Sequence, residues 1–365
     1  MSTNKKKILT IIGTRPEIIK MSPLIPLFDQ NFDHILVHTG QHYSANMDKI
    51  FFEELNLRLP DYTFDCGGLS SVEQVAKIMI KLDEILQKQK IDAIIVHGDT
   101  NTTLAGALTG AKHKAEGLKV IHVEAGCRSH NLMQAEEINR LIVDRVSDYM
   151  FVPTKKDGEH LAQEGYSDTR FEVTGNTVVD SCIRTANTID SKLILNEFKL
   201  EERQYALLTM HRQETVDSKD LLTSMVNVID KISEKTQIVF PIHPRTEKMM
   251  KKFSLSFKSK NIKLIEPQGY LKMIGLLKST GYCLTDSGGL QEEAATLRVP
   301  TIVLRNETEY THYVDEGYLF VAGTSFDKIF ELSNKLFESR ENDRIISESG
   351  NGSSEKILNA LKRIL

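Results

Sequence analysis

Short runs of β-branched and other apolar residues recur along the whole chain, and most are followed by a segment long enough for a helix. Strands separated by helix-sized spacers form parallel sheets through right-handed crossovers, with helices on both faces. We therefore predict an α/β protein built from doubly wound, Rossmann-like sheets. The predicted strands are Ile8–Ile12, Ile35–His38, Ala93–His97, Val120–Val123, Met150–Val152, Phe171–Thr174, Tyr205–Thr209, Ile238–Pro241, Ile262–Ile265, Tyr282–Thr285 and Thr301–Leu304.

The chain length of 365 residues favours two domains rather than one. The stretch Ser191–Arg203 has no clear strand signal and interrupts the strand–helix rhythm, so we predict that it contains the inter-domain linker. We expect residues 1–175 to form an N-terminal domain, joined by a C-terminal helix at 353–365. Residues 176–352 would form a second Rossmann-like domain that faces the first across a cleft.

Charge and hydropathy exclude several classes of function. A net charge of −4 gives no electrostatic footprint for nucleic acid or an anionic membrane. The apolar run Ile8–Ile12 ends at Gly13 and is too short for a signal-peptide core or a membrane span, so we expect a cytoplasmic protein. An anionic ligand would have to be held by a local cluster of side chains and N–H groups.

Fingerprints of cofactor and metal sites are missing from the sequence. No Gly-x-Gly-x-x-Gly follows a predicted strand, and neither a P-loop motif nor His-Glu-x-x-His occurs. We therefore expect no cofactor and no metal. The four cysteines are widely spaced, which favours reduced thiols over a disulfide framework or a structural zinc site; they are Cys66, Cys127, Cys182 and Cys283.

Two strand-to-helix turns carry anion-binding character. Gly13–Lys20 follows the first predicted strand and contains Arg15 and Lys20, and Asp286–Glu293 follows a strand in the second half and contains Ser287-Gly288-Gly289. Backbone N–H groups at such turns bind anionic oxygens. The sequence thus predicts that the two turns grip a diphosphate, although a plain tight turn is the alternative for the second. Carboxylates in its first helical turn, such as Glu293, could accept sugar or ribose hydroxyls.

Carboxylates follow two neighbouring strands of the first half. Asp99 comes after Ala93–His97, and Glu124 comes directly after Val120–Val123. Ligands bind outside the carboxyl ends of parallel strands, so both side chains should open into one crevice. Asp99 could instead cap the helix that follows it. The alternative is weaker for Glu124, because a carboxylate that ends an apolar strand is costly unless it is paired or used.

A third acidic position begins a predicted helix. Glu136 and Arg140 lie one turn apart on one polar face, and a surface ion pair is the alternative to a functional role. The predicted apolar face of this helix comprises Ile138, Leu141, Ile142 and Val146.

Two histidines follow strands in the second half, and each has an arginine one or two residues after it. His211 comes directly before Arg212, and His243 comes two residues before Arg245. A lone histidine there is more often structural. Two such pairs beside a glycine-rich turn suit a diphosphate, so we predict that His211 and His243 contact it.

Many segments, in order along the chain, jointly resemble one enzyme family. The matching segments are Gly13–Glu17, His38–Tyr43, Gly98–Asn101, Val123–Gly126, Glu136–Arg140, Thr174–Thr177, His211-Arg212, His243–Arg245 and Thr285–Glu293. They resemble the non-hydrolysing UDP-N-acetylglucosamine 2-epimerases. The resemblance implies a glycosyltransferase-B-type fold in which the second domain, residues 176–352, binds UDP, and it implies a homodimer. It also implies interconversion of UDP-N-acetylglucosamine and UDP-N-acetylmannosamine, through elimination of UDP to give 2-acetamidoglucal and re-addition of UDP.

The resemblance also assigns roles to positions of this chain. Asp99, Glu124 and Glu136 fall on the family's catalytic carboxylates, and His211 falls on its active-site histidine. The substrate-contacting positions are Arg15, Lys20, Arg140, Ser287, Gly288, Gly289 and Glu293. Gln41 and His42 match part of a site at which bacterial members bind UDP-N-acetylglucosamine as an allosteric activator, but the loop Asp65–Ser71 lacks the arginine expected there.

Two departures from the family pattern leave the details open. The residues before the paired acids are Gln134-Ala135 where the family usually has proline. The segment Asn306–His312 is closer to relatives that act on UDP-2,3-diacetamido-glucuronic acid, which makes that sugar the runner-up substrate. A glycosyltransferase of the same fold, a hydrolysing epimerase and a non-catalytic nucleotide-sugar sensor are further alternatives. The clustered carboxylates speak against a glycosyltransferase and a sensor, and release of free UDP would identify a hydrolysing enzyme.

Overall fold

A computed structural model describes residues 5–41, 51–340 and 352–365. The strands are β1 (Lys7–Ile12), β2 (Asp33–His38), β3 (Tyr62–Thr63), β4 (Ala93–His97), β5 (Lys119–Val123), β6 (Tyr149–Val152), β7 (Phe171–Val173), β8 (Tyr205–Thr209), β9 (Gln237–Pro241), β10 (Ile262–Ile265), β11 (Tyr282–Thr285), β12 (Thr301–Val303) and β13 (Leu319–Val321). The helices in the described ranges are α1 (Arg15–Met21), α2 (Leu24–Asn31), α3 (Ser71–Leu86), α4 (Asn101–Lys112), α5 (Ala135–Val146), α6 (Lys155–Gln163), α7 (Thr177–Thr188), α8 (Ser191–Phe198), α9 (Gln213–Val216), α10 (Lys219–Ile232), α11 (Pro244–Lys252), α12 (Tyr270–Ser279), α13 (Gly288–Thr296), α14 (Thr311–Asp315), α15 (Phe326–Glu338) and α16 (Ser353–Ile364).

The strands form two parallel sheets, which confirms the predicted fold class. The first sheet has the order β3-β2-β1-β4-β5-β6-β7, and the second has the order β10-β9-β8-β11-β12-β13. Every strand pair is parallel. The strand order reverses between β1 and β4 in the first sheet and between β8 and β11 in the second. In doubly wound sheets, ligands bind at the carboxyl ends of the strands beside such a reversal.

The chain divides into two compact units. One comprises Met1–Ser181 together with Ser349–Leu365, and the other comprises Cys182–Glu348. The division falls inside α7, and α16 belongs to the first unit. The predicted linker at Ser191–Arg203 is wrong, because this stretch lies inside the second unit and begins with α8. Its buried residues Ile194, Leu195 and Phe198 follow a helical period. The linker was predicted only because the stretch has no strand signal, which does not exclude a packed helix.

Central strands of both sheets are buried on both faces, as expected for sheets covered by helices on each side. All five residues of β4 are buried, for example. On one face of the first sheet, α4 packs against both α3 and α5. None of the helices within residues 5–41, 51–340 and 352–365 is long and apolar enough to cross a membrane.

Eleven strands were predicted and all eleven are present, but two short edge strands escaped prediction. β3 has only two residues, and β13 has three. A two-residue strand such as β3 gives too little alternation to be recognised from sequence. β13 was missed although it is as long as β7 and β12, which were predicted. Neither strand lies at a strand-order reversal, so the missed elements do not change where the site is expected.

Candidate active site

A cavity of about 350 Å³ opens in the first unit at the carboxyl ends of β1, β4 and β5. Asp99, Glu124 and Glu136 all line it. Lys20 and His97 line it as well. The structure thus brings the three predicted carboxylates together at the strand-order reversal of the first sheet.

Glu124 is the most constrained of the three carboxylates. Its φ angle is +66°, a left-handed conformation that is costly for a residue with a side chain and that concentrates at functional sites. Nζ of Lys20 lies 2.7 Å from each of its carboxylate oxygens, and Nε2 of His97 lies 3.1 Å from Oε2. Burial alone would raise the pKa of Glu124, but Lys20 and His97 outweigh it and hold the pKa well below its usual range. Glu124 is therefore a carboxylate at neutral pH.

Asp99 is held by α5. Its Oδ2 accepts a hydrogen bond from Nη2 of Arg140 at 2.5 Å, and its backbone carbonyl accepts one from Nδ2 of Asn139 at 2.8 Å. Thr100 is the N-cap of α4, since its side chain accepts from the N–H of Thr103. The alternative reading of Asp99 as a helix cap is therefore wrong, and its carboxylate is left to face the cavity.

The paired acids Glu136 and Glu137 have opposite environments. Glu136 is exposed at the cavity, whereas the side chain of Glu137 is buried and accepts hydrogen bonds from both the N–H and the hydroxyl of Ser129 and from the N–H of His130. Arg140 donates to Glu137 at 2.9 Å, so its side chain bridges Asp99 and Glu137. The alternative of a surface ion pair between Glu136 and Arg140 is not what the structure shows.

The buried face of α5 differs from the predicted one. Ile138 is 45% exposed, and the buried positions are Glu137, Asn139, Val143 and Asp144. Periodicity assigned the apolar residues to the interior, but three polar side chains occupy it because each has fixed hydrogen-bond partners there.

The first strand-to-helix turn does not present the N–H groups that the sequence suggested. Oε2 of Glu17 accepts hydrogen bonds from the N–H groups of Gly13 and Thr14, both at 2.8 Å, in a capping box. Oε1 of Glu17 accepts from the hydroxyl of Thr100. Burial raises the pKa of Glu17. This turn therefore contributes Lys20 to the cavity rather than those two N–H groups.

Arg15 and Gln41 lie near the same edge of the sheet. The guanidinium of Arg15 stacks over the ring of Phe51 at 4.7 Å from its centroid. Gln41 lines the cavity, and its side-chain oxygen accepts from both the N–H and the hydroxyl of Thr102. His42 lies outside the described residues.

A fully buried charge network lies beneath the carboxylates. Asp144 binds Nδ1 of His122 and Nη1 of Arg128, both at 2.7 Å, and accepts from the N–H of Gly126. Nε2 of His122 lies 2.8 Å from the carbonyl of Gly98. The network therefore joins the turn that carries Asp99 to the turn that follows Glu124. Burial alone would raise the pKa of Asp144, but the contacts with His122 and Arg128 outweigh burial and lower the pKa.

In the second unit, the predicted residues gather at the reversal between β8 and β11. Nδ1 of His211 lies 3.2 Å from Oδ1 of Asp286, and the rings of His211 and His243 are 5.2 Å apart. Burial and the neighbouring His211 lower the pKa of His243. Arg245 is engaged by Asp217 through two hydrogen bonds, so this arginine is committed to an ion pair.

The Ser287-Gly288-Gly289 turn begins α13. Ser287 is its N-cap, and the N–H groups of Gly288 and Gly289 lie in the first turn, where no intrahelical carbonyl can accept them. A side chain at position 288 would meet Oε1 of Glu309 at 2.7 Å, whereas position 289 is open. Glu293 lies one turn further along and is partly exposed.

Within the described part of the chain, no group of three or more His, Cys, Asp or Glu residues could hold a metal ion. All four cysteines are free thiols. Burial raises the pKa of Cys127, the one nearest the carboxylates, well above its usual value, with Asp157 and Glu124 adding to the effect. Cys127 is therefore a protonated, unreactive thiol.

A family model described as UDP-N-acetylglucosamine 2-epimerase matches residues 28–362. The chain belongs to this family. A UDP-N-acetylglucosamine 2-epimerase of Methanococcus maripaludis is 43% identical over 361 residues, covering 96% of this chain and 97% of that protein. A UDP-2,3-diacetamido-2,3-dideoxy-D-glucuronate 2-epimerase of Pseudomonas aeruginosa is 36% identical over 354 residues, covering 95% and 97%.

Solved structures agree with this membership. The UDP-GlcNAc 2-epimerase of Methanocaldococcus jannaschii, in complex with UDP-GlcNAc and UDP, superposes with a TM-score of 0.81 at 41% identity, covering 98% of this chain and 99% of that one. These findings confirm the family resemblance and the glycosyltransferase-B-like class of two parallel-sheet domains.

Several residues of the candidate site were not singled out from sequence. His97 lines the cavity beside Glu124. Glu137 binds Arg140, and Asn139 binds the backbone carbonyl of Asp99. In the second unit, Asp286 contacts His211. His97 ends a strand directly before Gly98-Asp99, a position that could have marked it. The partners of the others depend on tertiary contacts that sequence spacing does not reveal.

Proposed function

We propose that the protein is a UDP-N-acetylglucosamine 2-epimerase that interconverts UDP-N-acetylglucosamine and UDP-N-acetylmannosamine. The observation that carries the proposal is the convergence of Asp99, Glu124 and Glu136 on one cavity. A glycosyltransferase of similar fold has no need for three such carboxylates in its first domain. Family membership and the relatives' names support the same activity.

Inversion at C2 explains why the site needs carboxylates. The C2 hydrogen of an N-acetylhexosamine is not adjacent to a carbonyl, so its direct removal would require an impractically strong base. When the C1–O bond to UDP breaks as the proton leaves, the product is 2-acetamidoglucal and free UDP. A proton delivered to the other face of C2, with re-addition of UDP, completes the inversion. Glu124, Asp99 and Glu136 are the groups we assign to these proton transfers.

Departure of UDP requires cations and hydrogen-bond donors that stabilise the developing negative charge. In the first unit, Lys20 and Arg15 are the candidate cations. In the second unit, His211, His243 and the Ser287-Gly288-Gly289 turn are the candidate donors, and Glu293 is a candidate acceptor for hydroxyl groups. Arg140, which binds Asp99 at 2.5 Å, would orient that carboxylate. These roles require no cofactor and no metal.

One specific observation favours a second substrate. The 36% identical relative from Pseudomonas aeruginosa is named for a diacetamido-glucuronate sugar, and Asn306–His312 is closer to such relatives. Glu309 of this segment pairs with the preceding Arg305 at 3.0 Å. UDP-2,3-diacetamido-glucuronic acid is therefore the alternative substrate to be tested beside UDP-N-acetylglucosamine.

The test is a panel of UDP-sugars incubated with purified protein, without added cofactor, and followed by proton NMR. We expect UDP-N-acetylglucosamine and UDP-N-acetylmannosamine to converge on the same mixture from either side. Stoichiometric release of free UDP would indicate a hydrolysing enzyme instead. A far higher kcat/KM for the diacetamido-glucuronate would assign the protein to that substrate.

We further infer a homodimer in the cytoplasm. The dimer follows from the family resemblance, and the four free thiols suit a reducing compartment. Light scattering coupled to size-exclusion chromatography tests the dimer, since a mass near 41 kDa would contradict it.

Allosteric activation by UDP-N-acetylglucosamine is a separate question, because Gln41 and His42 match part of the activator site but the loop Asp65–Ser71 lacks the arginine expected there. Gln41 lines the cavity, although its side-chain oxygen is bound by Thr102. Assays that start from UDP-N-acetylmannosamine, with and without a trace of UDP-N-acetylglucosamine, would detect activation as a lag that the trace removes. Equal initial rates would exclude it.

A further inference from the structure

Asp286 stands at the end of β11 and contacts the segment that follows β8. Its side chain is fully buried. Oδ2 accepts hydrogen bonds from the N–H groups of His211 and Arg212, both at 2.7 Å. These three residues lie in the second unit, at the point where the strand order reverses.

The second carboxylate oxygen faces the histidine ring. Oδ1 of Asp286 lies 3.2 Å from Nδ1 of His211, within ion-pair distance, and forms no hydrogen bond with the described residues in this ring orientation. A buried carboxylate oxygen without a partner carries a desolvation cost, which a hydrogen on Nδ1 would relieve. The geometry therefore favours the form of His211 that carries hydrogen on Nδ1.

Fixing Nδ1 leaves Nε2 as the nitrogen that can meet a ligand. The His211 side chain is 38% exposed, in contrast to Asp286. An Asp–His pair of this kind holds the ring in one orientation. A positively charged ring would then offer an Nε2–H donor to a phosphate oxygen.

We propose that Asp286 is a positioning residue that accepts the hydrogen on Nδ1 of His211 and fixes the ring orientation, so that Nε2 is directed at the departing diphosphate. Nε2 can donate to a phosphate oxygen when the ring carries hydrogen on both nitrogens. The proposal rests on the proposed function, because it takes His211 as the residue that meets UDP. The side chain of Asp286 is fully buried and does not face the ligand side of the ring. It acts through the ring, and its two backbone contacts fix the chain at His211 relative to β11.

The Asp286→Asn variant tests the proposal because asparagine keeps the size and one oxygen acceptor, but can present an NH₂ group to Nδ1. We expect kcat to fall by about 10- to 10³-fold, which is less than the fall of about 10⁴-fold caused by the same change in the Asp–His pair of a serine protease. The Kd for UDP should stay within about 3-fold of the wild-type value. In ¹⁵N NMR of the imidazole, the His211 signals should move from the Nδ1–H form toward the Nε2–H form. Unchanged kcat and unchanged ring signals would overturn the proposal.

A matched control separates positioning from simple structural support. Asp230 also accepts two backbone N–H groups, from Lys258 and Ser259, but no histidine among the described residues contacts it. Asp230→Asn should leave kcat within about 2-fold. In a His211→Asn background, Asp286→Asn should cause no further loss of kcat, whereas an additive loss would contradict action through the ring.

The wild-type spectrum provides a readout that depends on neither folding of the variant nor turnover. If the protein lacks epimerase activity but shows the Nδ1–H form of His211, the proposed function fails and the Asp286 contact stands. If the protein epimerises but His211 carries its hydrogen on Nε2 alone, the Asp286 inference fails and the function stands.

Discussion

Nζ of Lys20 lies 2.7 Å from both carboxylate oxygens of Glu124, at the carboxyl edge of the first sheet. This contact joins a substrate-binding candidate to a catalytic candidate, so the charge of one sets the protonation of the other. Because Lys20 and His97 outweigh burial, Glu124 is kept as a carboxylate, the form able to accept the C2 proton.

Replacing Lys20 by methionine should therefore move the pH dependence of activity. Without the ammonium group, burial dominates and the pKa of Glu124 rises, so the acid limb of kcat/KM should shift upward by at least about one pH unit. The measurement is a pH–rate profile of wild type and Lys20→Met. Lys81→Met removes an exposed ion pair with Glu84 and should leave the profile in place. If the acid limb of kcat/KM does not shift in Lys20→Met, the ionisation of Glu124 does not control the rate.

Substitutions of the neighbouring acids Glu136 and Glu137 should have different effects, one on activity and the other on stability. Glu136 is exposed at the cavity, so Glu136→Gln should lower kcat by about 10²-fold with little change in melting temperature. Glu137 is buried and accepts from Ser129, His130 and Arg140, so Glu137→Gln should lower the free energy of unfolding by about 2 kcal/mol. Kinetics and thermal melts of both variants provide the comparison. The reverse pattern would show that the two positions have been assigned to the wrong roles.

Asp144 should contribute stability that depends on pH. His122 and Arg128 hold its folded-state pKa below the unfolded value of about 3.9, so the contribution is full above that value and is lost as the pH falls through the folded pKa. Asp144→Asn should cost about 3 kcal/mol at pH 7, because it breaks the buried ion pair with Arg128, which keeps Glu164 as a partner, and removes the carboxylate that contacts His122. Denaturant titrations at several pH values should show the difference from wild type narrowing below about pH 4.

A surface carboxylate gives the control for this stability prediction. Asp33 pairs with Lys7 at 3.0 Å, but its side chain is 54% exposed. Asp33→Asn should change the free energy of unfolding by less than about 0.5 kcal/mol. If the two variants lose equal stability, the buried network does not have the energetic role assigned to it.

The sequence was sufficient to place the carboxylates because the positions follow from strand register. Asp99 and Glu124 follow β4 and β5, which are parallel and hydrogen-bonded, so their ends must meet at one edge. Each strand has five residues, most of them apolar, and is readily recognised. Both the fold class and the edge that carries the site could therefore be predicted.

The partners of the charged residues could not be predicted in the same way. Arg140 is one turn from Glu136 in sequence, yet it binds Asp99 and Glu137, because the fold brings the turn after β4 against α5. Glu17 could have served a ligand, but it closes its own turn by capping Gly13 and Thr14. Such choices depend on tertiary distance and desolvation, which motif spacing does not encode.

The central claim is inversion through elimination and re-addition of UDP, and it is tested most directly by deuterium uptake at C2. Wild-type protein is incubated with UDP-N-acetylglucosamine in D₂O without cofactor, and the product is examined by NMR and mass spectrometry, beside Glu124→Gln. The account predicts UDP-N-acetylmannosamine with deuterium at C2, and a rate at least about 10²-fold lower for Glu124→Gln. Inversion that retains the original C2 hydrogen throughout would contradict the elimination route.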